Sequence, residues 1–401
     1  MTRKSVTAPS LTTLVFLTGL SVLSLNMFLP SLAQIADDLN ARYAVANLSI
    51  AGYLAITGAL QIIMGPLSDR YGRRPIILIG LTLFFIGSVI AALAQSIEVF
   101  LAARVLQAAI ISSMALSRAV VRDIAPADQA AAMLGQIGVA MALAPMLGPA
   151  LGGLMGEALG WRSVFWLYAC LAILMLIICR TGLSETNQNK SSSFAAQFRE
   201  YPHLFGSRRF WGYSLCLTFS VGAFFCYTTA APLILPTAFG MGPSMLGISM
   251  GIITVGFMAG NIVSGRLVRV YQLTTVMLLG RLITILGLAL GALAFAAGWG
   301  NLTILFAAII PVGFGNGLSI PSGNAGIMSV RPRLAGSASG VSGALTVGGG
   351  ALMTGLAGTY LTEQSGVLAM LLMLLLIGIA GAICAAYVIW VDLQEGPPED
   401  V

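Results

Sequence analysis

Residues 65–75 read Gly65-Pro66-Leu67-Ser68-Asp69-Arg70-Tyr71-Gly72-Arg73-Arg74-Pro75, with charges at Asp69, Arg70, Arg73 and Arg74. Apolar runs at about 45–66 and 75–95 flank this polar turn. Each run is long enough to cross roughly 30 Å of hydrocarbon as a helix, which takes about 20 residues. A short charged turn between two such runs is a membrane hairpin whose charges stay at the water interface. Working outward, the pattern recurs: further runs lie near 11–32, 99–120, 130–153, 163–180, 211–236, 244–265, 273–297, 301–322, 337–360 and 367–391, twelve in all.

Composition agrees. Of the 401 residues, 58 % are hydrophobic and 8 % charged, whereas soluble domains carry about a quarter charged residues. High hydrophobicity with low charge also excludes disorder. In hydrocarbon every backbone polar group needs an internal partner, so the runs predict helices and not an alternating-strand barrel. The 47 glycines supply the small surfaces that let membrane helices approach closely. The first run follows Arg3 and Lys4 and ends in Ser31-Leu32-Ala33, like a signal peptide. Its apolar core exceeds the usual length of about 7–15 residues, and Asn26 and Pro30 interrupt it, so a first membrane span is expected.

The basic residues predict orientation. With the N-terminus inside, the tails and even-numbered connections hold Arg3, Lys4, Arg70, Arg73, Arg74, Arg118, Arg122, Arg180, Lys190, Arg199, Arg208, Arg209, Arg266, Arg269, Arg331 and Arg333, 16 of 20. Arg42 and Arg162 lie outside, and Arg104 and Arg281 fall within spans. This bias places both termini in the cytoplasm. It also removes a nucleic-acid reading of the net charge of +6, because the charges are topological markers on separate loops. The polar connection 181–209 divides the chain into an N-terminal six-helix bundle (1–180) and a C-terminal one with a short tail (210–401). Within it, Phe194 to Phe205 has apolar residues near helical spacing, suited to the membrane surface, and His203 reads as a surface residue.

Cys170, Cys179, Cys216, Cys226 and Cys384 all fall in apolar runs, and His203 is the single histidine. Buried thiols acting as small hydrophobes are expected, not disulfides or a metal site. No GxxxxGK[ST] loop is present to bind ATP, and no metal, flavin or nucleophile constellation supports an enzyme or calls for a cofactor. A sensor would need a signalling domain, and a channel rings of charge or a carbonyl filter; neither is visible.

The turn at 65–75 resembles GxLaDrxGrkxxl, the loop signature of the major facilitator superfamily. Gly265-Arg266-Leu267-Val268-Arg269 is a weaker echo after the eighth span, as left by the duplicated six-span halves already described for this superfamily. Arg104-Val105-Leu106-Gln107-Ala108 resembles the family's RxxQG element. Gly135, Ala144, Gly148-Pro149 and Gly152-Gly153 resemble its antiporter element, GxxxxxxxxGxxxGPxxGG, with Ala144 in place of one glycine. Asn26-Met27-Phe28-Leu29-Pro30, Arg122-Asp123 and Gly160-Trp161-Arg162 resemble the bicyclomycin/chloramphenicol type of drug exporter.

The resemblance implies an all-α fold of twelve transmembrane helices in two pseudo-symmetric six-helix bundles, in the bacterial inner membrane. It implies a monomeric secondary transporter working by alternating access, exporting small amphipathic compounds such as antibiotics in exchange for protons. An uncoupled facilitator or an importer of a small neutral or anionic metabolite is the alternative. Expected cavity residues are Asn26, Tyr53, Gln61, Arg104, Gln107, Phe224, Tyr227, Asn316 and Asn324, with core packing the alternative for Phe224 and Tyr227. Asp69, Arg73 and Asp123 are expected to form a cytoplasmic latch with Gly65, Arg70, Gly72 and Arg74, simple anchoring charges being the alternative. Gly72 suits the tight turn, and Gly148, Pro149, Gly152 and Gly153 suit a bend with close helix approach.

Arg104 lies some six residues into its span, roughly 9 Å deep. A charge there faces a cavity or a partner, or else snorkels to the interface. Arg281 sits in the ninth span, a peripheral support helix in this family, where snorkelling or a structural pair is expected. Related exporters commonly carry an acid where this chain has Asn26, and none of its 14 acids lies at mid-membrane depth. Arg104 would then make the cavity electropositive.

Overall fold

A computed structural model describes residues 10–124, 127–187, 204–331 and 335–395. These residues fold into α1 (Leu11–Asn26), α2 (Leu32–Asp38), α3 (Tyr43–Ala46), α4 (Leu48–Tyr71), α5 (Arg73–Leu93), α6 (Ile97–Gln107), α7 (Ile111–Ile124), α8 (Ala127–Leu159) and α9 (Arg162–Gly182). After the connection come α10 (Arg208–Phe239), α11 (Pro243–Leu267), α12 (Leu273–Ala296), α13 (Leu302–Val330), α14 (Ala335–Tyr360) and α15 (Gly366–Glu395). Ten stretches among the described residues are long and apolar enough to cross a membrane. The fourth and fifth crossings, 97–124 and Ala127–Leu159, complete the twelve.

The helix ends follow local chemistry. The Ser10 hydroxyl accepts the Thr13 N–H at 3.2 Å and starts α1, and Asn301 does the same for Ile304 at 3.0 Å to start α13. Asn26 and Pro30 interrupt the first crossing as expected: α1 ends at Asn26, a 3₁₀ turn spans Leu29–Ser31, and α2 carries the chain on to Asp38. The fourth crossing is also broken, by a 3₁₀ turn at Ala108–Ile110, which apolarity alone does not signal. Several helices run past their apolar runs, α8 to Leu159 and α10 from Arg208 to Phe239. Apolarity marks only the hydrocarbon portion of a helix, and the ends project into the interface. Pro145, Pro149, Pro232, Pro236, Pro311 and Pro321 all lie inside helices, where neighbouring helices help re-satisfy the freed carbonyls.

In the first half an aromatic core joins Phe28, Phe84, Phe100, Trp161, Phe165 and Tyr168, with ring centroids 5.3–5.8 Å apart. In the second, Phe210, Tyr213, Met277, Ile327 and Val388 form a cluster at the end where α10 begins. Large apolar side chains face outward along most helices; Leu376 is 68 % and Leu293 66 % exposed. Such a surface is suited to acyl chains. The five cysteines are unpaired. Cys179, Cys216 and Cys226 are buried as expected, but Cys170 is exposed and Cys384 half-buried, because an apolar run has a lipid face as well as a core face. Of the segment Phe194 to Phe205, only Leu204 and Phe205 fall within the described residues, and His203 lies outside them.

The halves meet along α8 against α11 and α4 against α14. A Cβ on Gly153 would collide with the Pro243 carbonyl, and one on Gly247 with the Pro149 carbonyl. Backbone therefore packs on backbone there. Around this contact Tyr43 donates to the Thr229 carbonyl (2.6 Å), Asn47 Nδ2 to the Thr354 carbonyl (2.9 Å), and Ser244, through N–H (3.1 Å) and hydroxyl, to the Glu157 carboxylate. All of these lie at the end of the bundle opposite the 65–75 turn, and they close it.

Candidate functional site

A cavity of about 270 Å³ lies at mid-height between the halves. From the first half α1 contributes Val22, Leu25 and Asn26, and α8 contributes Met141 and Pro145. From the second come Val221, Phe224 and Phe225 of α10, Ile253, Thr254 and Phe257 of α11, and Gly313, Asn316 and Ile320 of α13. The wall is mostly aliphatic and aromatic. Among the described residues its polar side chains are Asn26, Thr254 and Asn316, with neither an acid nor a base.

Asn26 is 2 % exposed; its Nδ2 donates to the Val22 carbonyl at 3.1 Å and its Oδ1 has no partner. Thr254, 4 % exposed, has an equally unpartnered hydroxyl. Asn316 is engaged at both polar atoms: its Nδ2 donates once, to the Ser220 carbonyl (3.0 Å), and its Oδ1 accepts from Arg281 Nη2 (2.8 Å). Arg281 Nε donates to Ser319 Oγ at 3.0 Å, and Ser319 in turn to the Met277 carbonyl at 2.9 Å. Arg281 is fully buried. It is thus structurally paired, as one of the two sequence readings had it, but with a residue of the cavity wall. The available signal was Asn316 and Ser319, three apart and so on one face of α13.

Arg104 lies elsewhere. It is 1 % exposed and does not line this cavity. Its Nε donates to the Ser49 carbonyl (3.3 Å) and its Nη1 to the Ser24 carbonyl (3.2 Å) and Gln107 Oε1 (2.6 Å). Gln107 Nε2 continues to Ser88 Oγ at 2.8 Å. The guanidinium carbon sits 4.4 Å from the Phe28 ring centroid and 4.3 Å from that of Tyr53, whose hydroxyl bonds Ser24 Oγ at 2.8 Å. Arg104, Gln107 and Tyr53 therefore form one cluster tying α6 to α1, α4 and α5.

The other expected cavity residues divide. Phe224 lines the wall, edge-on to Phe225 with centroids 5.4 Å apart. Tyr227 is buried and donates to the Ser249 carbonyl at 3.3 Å. The Gln61 oxygen lies against Gly343 of α14, and Asn324 is exposed, about 12 Å along α13 from Asn316 at the usual helical rise.

At the 65–75 turn, Gly72 has φ 105°, which suits glycine and closes α4 onto α5. Arg73 Nε meets Asp123 Oδ2 at 3.3 Å, and its Nη1 meets Ser68 Oγ. Arg74 Nη2 donates to the Arg180 carbonyl at 2.9 Å, while Arg70 is exposed beside Tyr71. Gly65 lies in α4; the Asp69 side chain is outside the description. Sequence reasoning missed Glu185. Its carboxylate accepts the N–H groups of Arg73 (2.9 Å) and Arg74 (3.2 Å), capping α5, where a negative charge suits the helix dipole. Thr186 beside it bonds Asp123 at 3.1 Å, and Asn187 Nδ2 the Ser68 carbonyl at 3.3 Å.

The 148–153 stretch packs on two faces. Gly148 and Gly152 lie against Leu23 and Met27 of the first crossing, while Pro149 and Gly153 face Gly247 and Pro243 of the second half. These small residues let α8 touch both partners closely.

The Major Facilitator Superfamily model matches residues 14–354 and 223–400. An uncharacterized MFS-type transporter of Bacillus subtilis (strain 168), YdgK, is 32 % identical over 263 residues, 63 % of this chain and 65 % of its own. A chloramphenicol resistance protein of Pseudomonas aeruginosa is 34 % identical over 239 residues, 59 % and 56 % of the two chains. The chain thus spans between about half and two thirds of the length of these relatives. Multidrug resistance protein D of Escherichia coli (strain K12) is 24 % identical over 375 residues, 92 % and 93 % of the two. Among solved structures, a bacterial homolog of the human lysosomal transporter Spinster, inward-facing and unoccupied, superposes with a TM-score of 0.76 at 16 % identity, covering 96 % of each chain. A D-xylose–proton symporter gives 0.72 at 16 %, covering 94 % and 96 %; these likenesses show the fold. On its sequence match and its twelve-crossing fold, the chain belongs to the Major Facilitator Superfamily and is a multi-pass membrane protein.

Proposed function

We propose that the protein exports small amphipathic compounds, antibiotics among them, by alternating access. The observation that carries this reading is the cavity, mostly apolar, shared by both halves and furnished with three polar side chains and no charge. It suits an amphipathic guest that partitions from the membrane and meets a few hydrogen-bonding groups. The chloramphenicol and multidrug resistance relatives support the same substrate class.

Positive-inside sidedness puts both termini and the 65–75 turn in the cytoplasm of a bacterial inner-membrane protein. The closed end is then periplasmic, and the conformation faces the cytoplasm. The bundles 1–180 and 210–401, joined by 181–209, are the bodies that rock against each other, and the seal around Gly153, Gly247 and Glu157 must part for release outward. Among the described residues the bonds of Arg73, Asp123 and Glu185 stay on one side of that joint, so they brace the first half as it moves.

Protons are the proposed coupling ion, and because the cavity wall holds no acid, coupling falls to an acid at an end of the bundle. Glu157 and Asp123 are the candidates. The test is purified protein in liposomes, with and without a pH gradient, against a panel that includes chloramphenicol. Uphill export only with the gradient supports proton exchange. Gradient-independent equilibration supports an uncoupled facilitator, and movement of no compound in either direction rejects the reading.

A further inference from the structure

Among the described residues two arginines are buried away from both ends, and they are held differently. Arg104 faces two aromatic rings and two backbone carbonyls, all of which present negative charge to it. Each guanidinium leaves one nitrogen without a partner, Nη2 of Arg104 and Nη1 of Arg281. Arg281, however, is met by an amide oxygen and a hydroxyl, with no aromatic face over it among the described residues. No carboxylate lies within ion-pair distance of it among the described residues. Its guanidinium is therefore a weakly compensated cation in a low-dielectric interior, where charge acts over longer distances than in water.

It stands one hydrogen bond behind the cavity. Asn316, part of the wall, turns its oxygen to Arg281 and spends one N–H on the Ser220 carbonyl. An amide has two N–H donors, so one is left for a guest. The unpartnered Asn26 oxygen comes from the first half, and the unpartnered Thr254 hydroxyl from the second. Both are buried in the same wall, and each needs a hydrogen-bonding partner.

We propose that Arg281, acting through Asn316, sets the charge preference of this cavity. The site takes neutral or anionic amphipathic molecules with an acceptor group directed at Asn316 and a hydroxyl or amide N–H directed at Asn26, and it opposes permanent cations. This rests on the reading of the cavity as the substrate site. Arg281 is a specificity-determining residue that acts through Asn316 and does not touch the guest.

The test uses the full chain in nanodiscs and three naphthalene probes of one shape, bearing a sulfonate, a hydroxymethyl or a trimethylammonium group. Binding is measured by equilibrium dialysis against empty nanodiscs. The wild type should bind the sulfonate at least about tenfold more tightly than the trimethylammonium, a modest demand on a buried charge at this range. Arg281→Gln should erase most of that ratio, and Arg281→Lys should keep it. Should Arg281→Gln fail to fold, Asn316→Asp sets a carboxylate against the guanidinium and should shift the ratio toward the cation. An unchanged ratio in the folded neutralising variants, or a wild type that prefers the cation, overturns the proposal while leaving the substrate site in place. Binding of none of the probes overturns both.

Discussion

Among the described residues each half of the molecule buries one arginine, and the two halves use it in different ways. In the first, Arg104 is the hub of a network that reaches three neighbouring crossings and ends on backbone carbonyls, Gln107 and two aromatic faces. In the second, Arg281 has fewer bonds, and one of them ends on a residue of the cavity wall. A buried cation held between three crossings and two aromatic faces, away from the cavity, acts as a brace. One that stands a single hydrogen bond behind a cavity gives the cavity an electrostatic character. The same residue type at similar burial thus serves rigidity in one half and recognition in the other.

That comparison breaks first at Arg104. Arg104→Leu should destabilise the first half by about 3–5 kcal/mol, because Gln107 and two carbonyls lose their buried partner. Thermal unfolding of the detergent-solubilised protein measures this, and a loss below about 1 kcal/mol would remove the hub role. Arg281→Gln in the same assay should cost only about 1–2 kcal/mol, since fewer bonds are lost. Equal losses in the two variants would erase the distinction between the halves.

Gly153→Val tests the joint between them. The added side chain meets the Pro243 carbonyl, so the closed end cannot seal and transport should fall by about tenfold or more, with each half still folded; backbone-to-backbone helix contacts of this kind depend on small residues. Transport in liposomes together with unfolding temperature separates the two effects.

At the 65–75 turn, Glu185→Gln removes a charge from the start of α5 and should cost about 0.5–1 kcal/mol of stability, with a severalfold fall in transport. Asp69→Asn should likewise reduce transport while leaving expression intact. Wild-type transport by both would reduce this cluster to topological charges.

Asn26→Asp brings an acid into the wall opposite Asn316. A severalfold gain in dependence on the pH gradient is expected, along with some acceptance of cations, as the new carboxylate offsets Arg281. An unaltered gradient dependence would send the search for the coupling acid to Glu157 and Asp123.

The sequence by itself determined the crossings, the hairpin at 65–75, the expected sidedness and the family, because each depends on signals a few residues to one helix long. Hydrocarbon spans need apolar length, connections need charge, and Gly72 is needed where φ is positive. Within the site it singled out Asn26, Phe224 and Asn316, which line the cavity, and also Arg104, Gln107 and Tyr53, which form a cluster apart from it. It passed over Thr254 and placed Arg281 at the periphery. The physical reason is that a membrane helix is apolar toward lipid and toward its neighbours alike, so hydropathy carries little record of which face looks where. Glu185 escaped for a related reason. It caps a helix 112 residues earlier in the chain, and no local pattern announces a bond of that span. Which polar side chains share a wall, and whether a buried cation is a brace or a selector, was decided only when the helices were packed together.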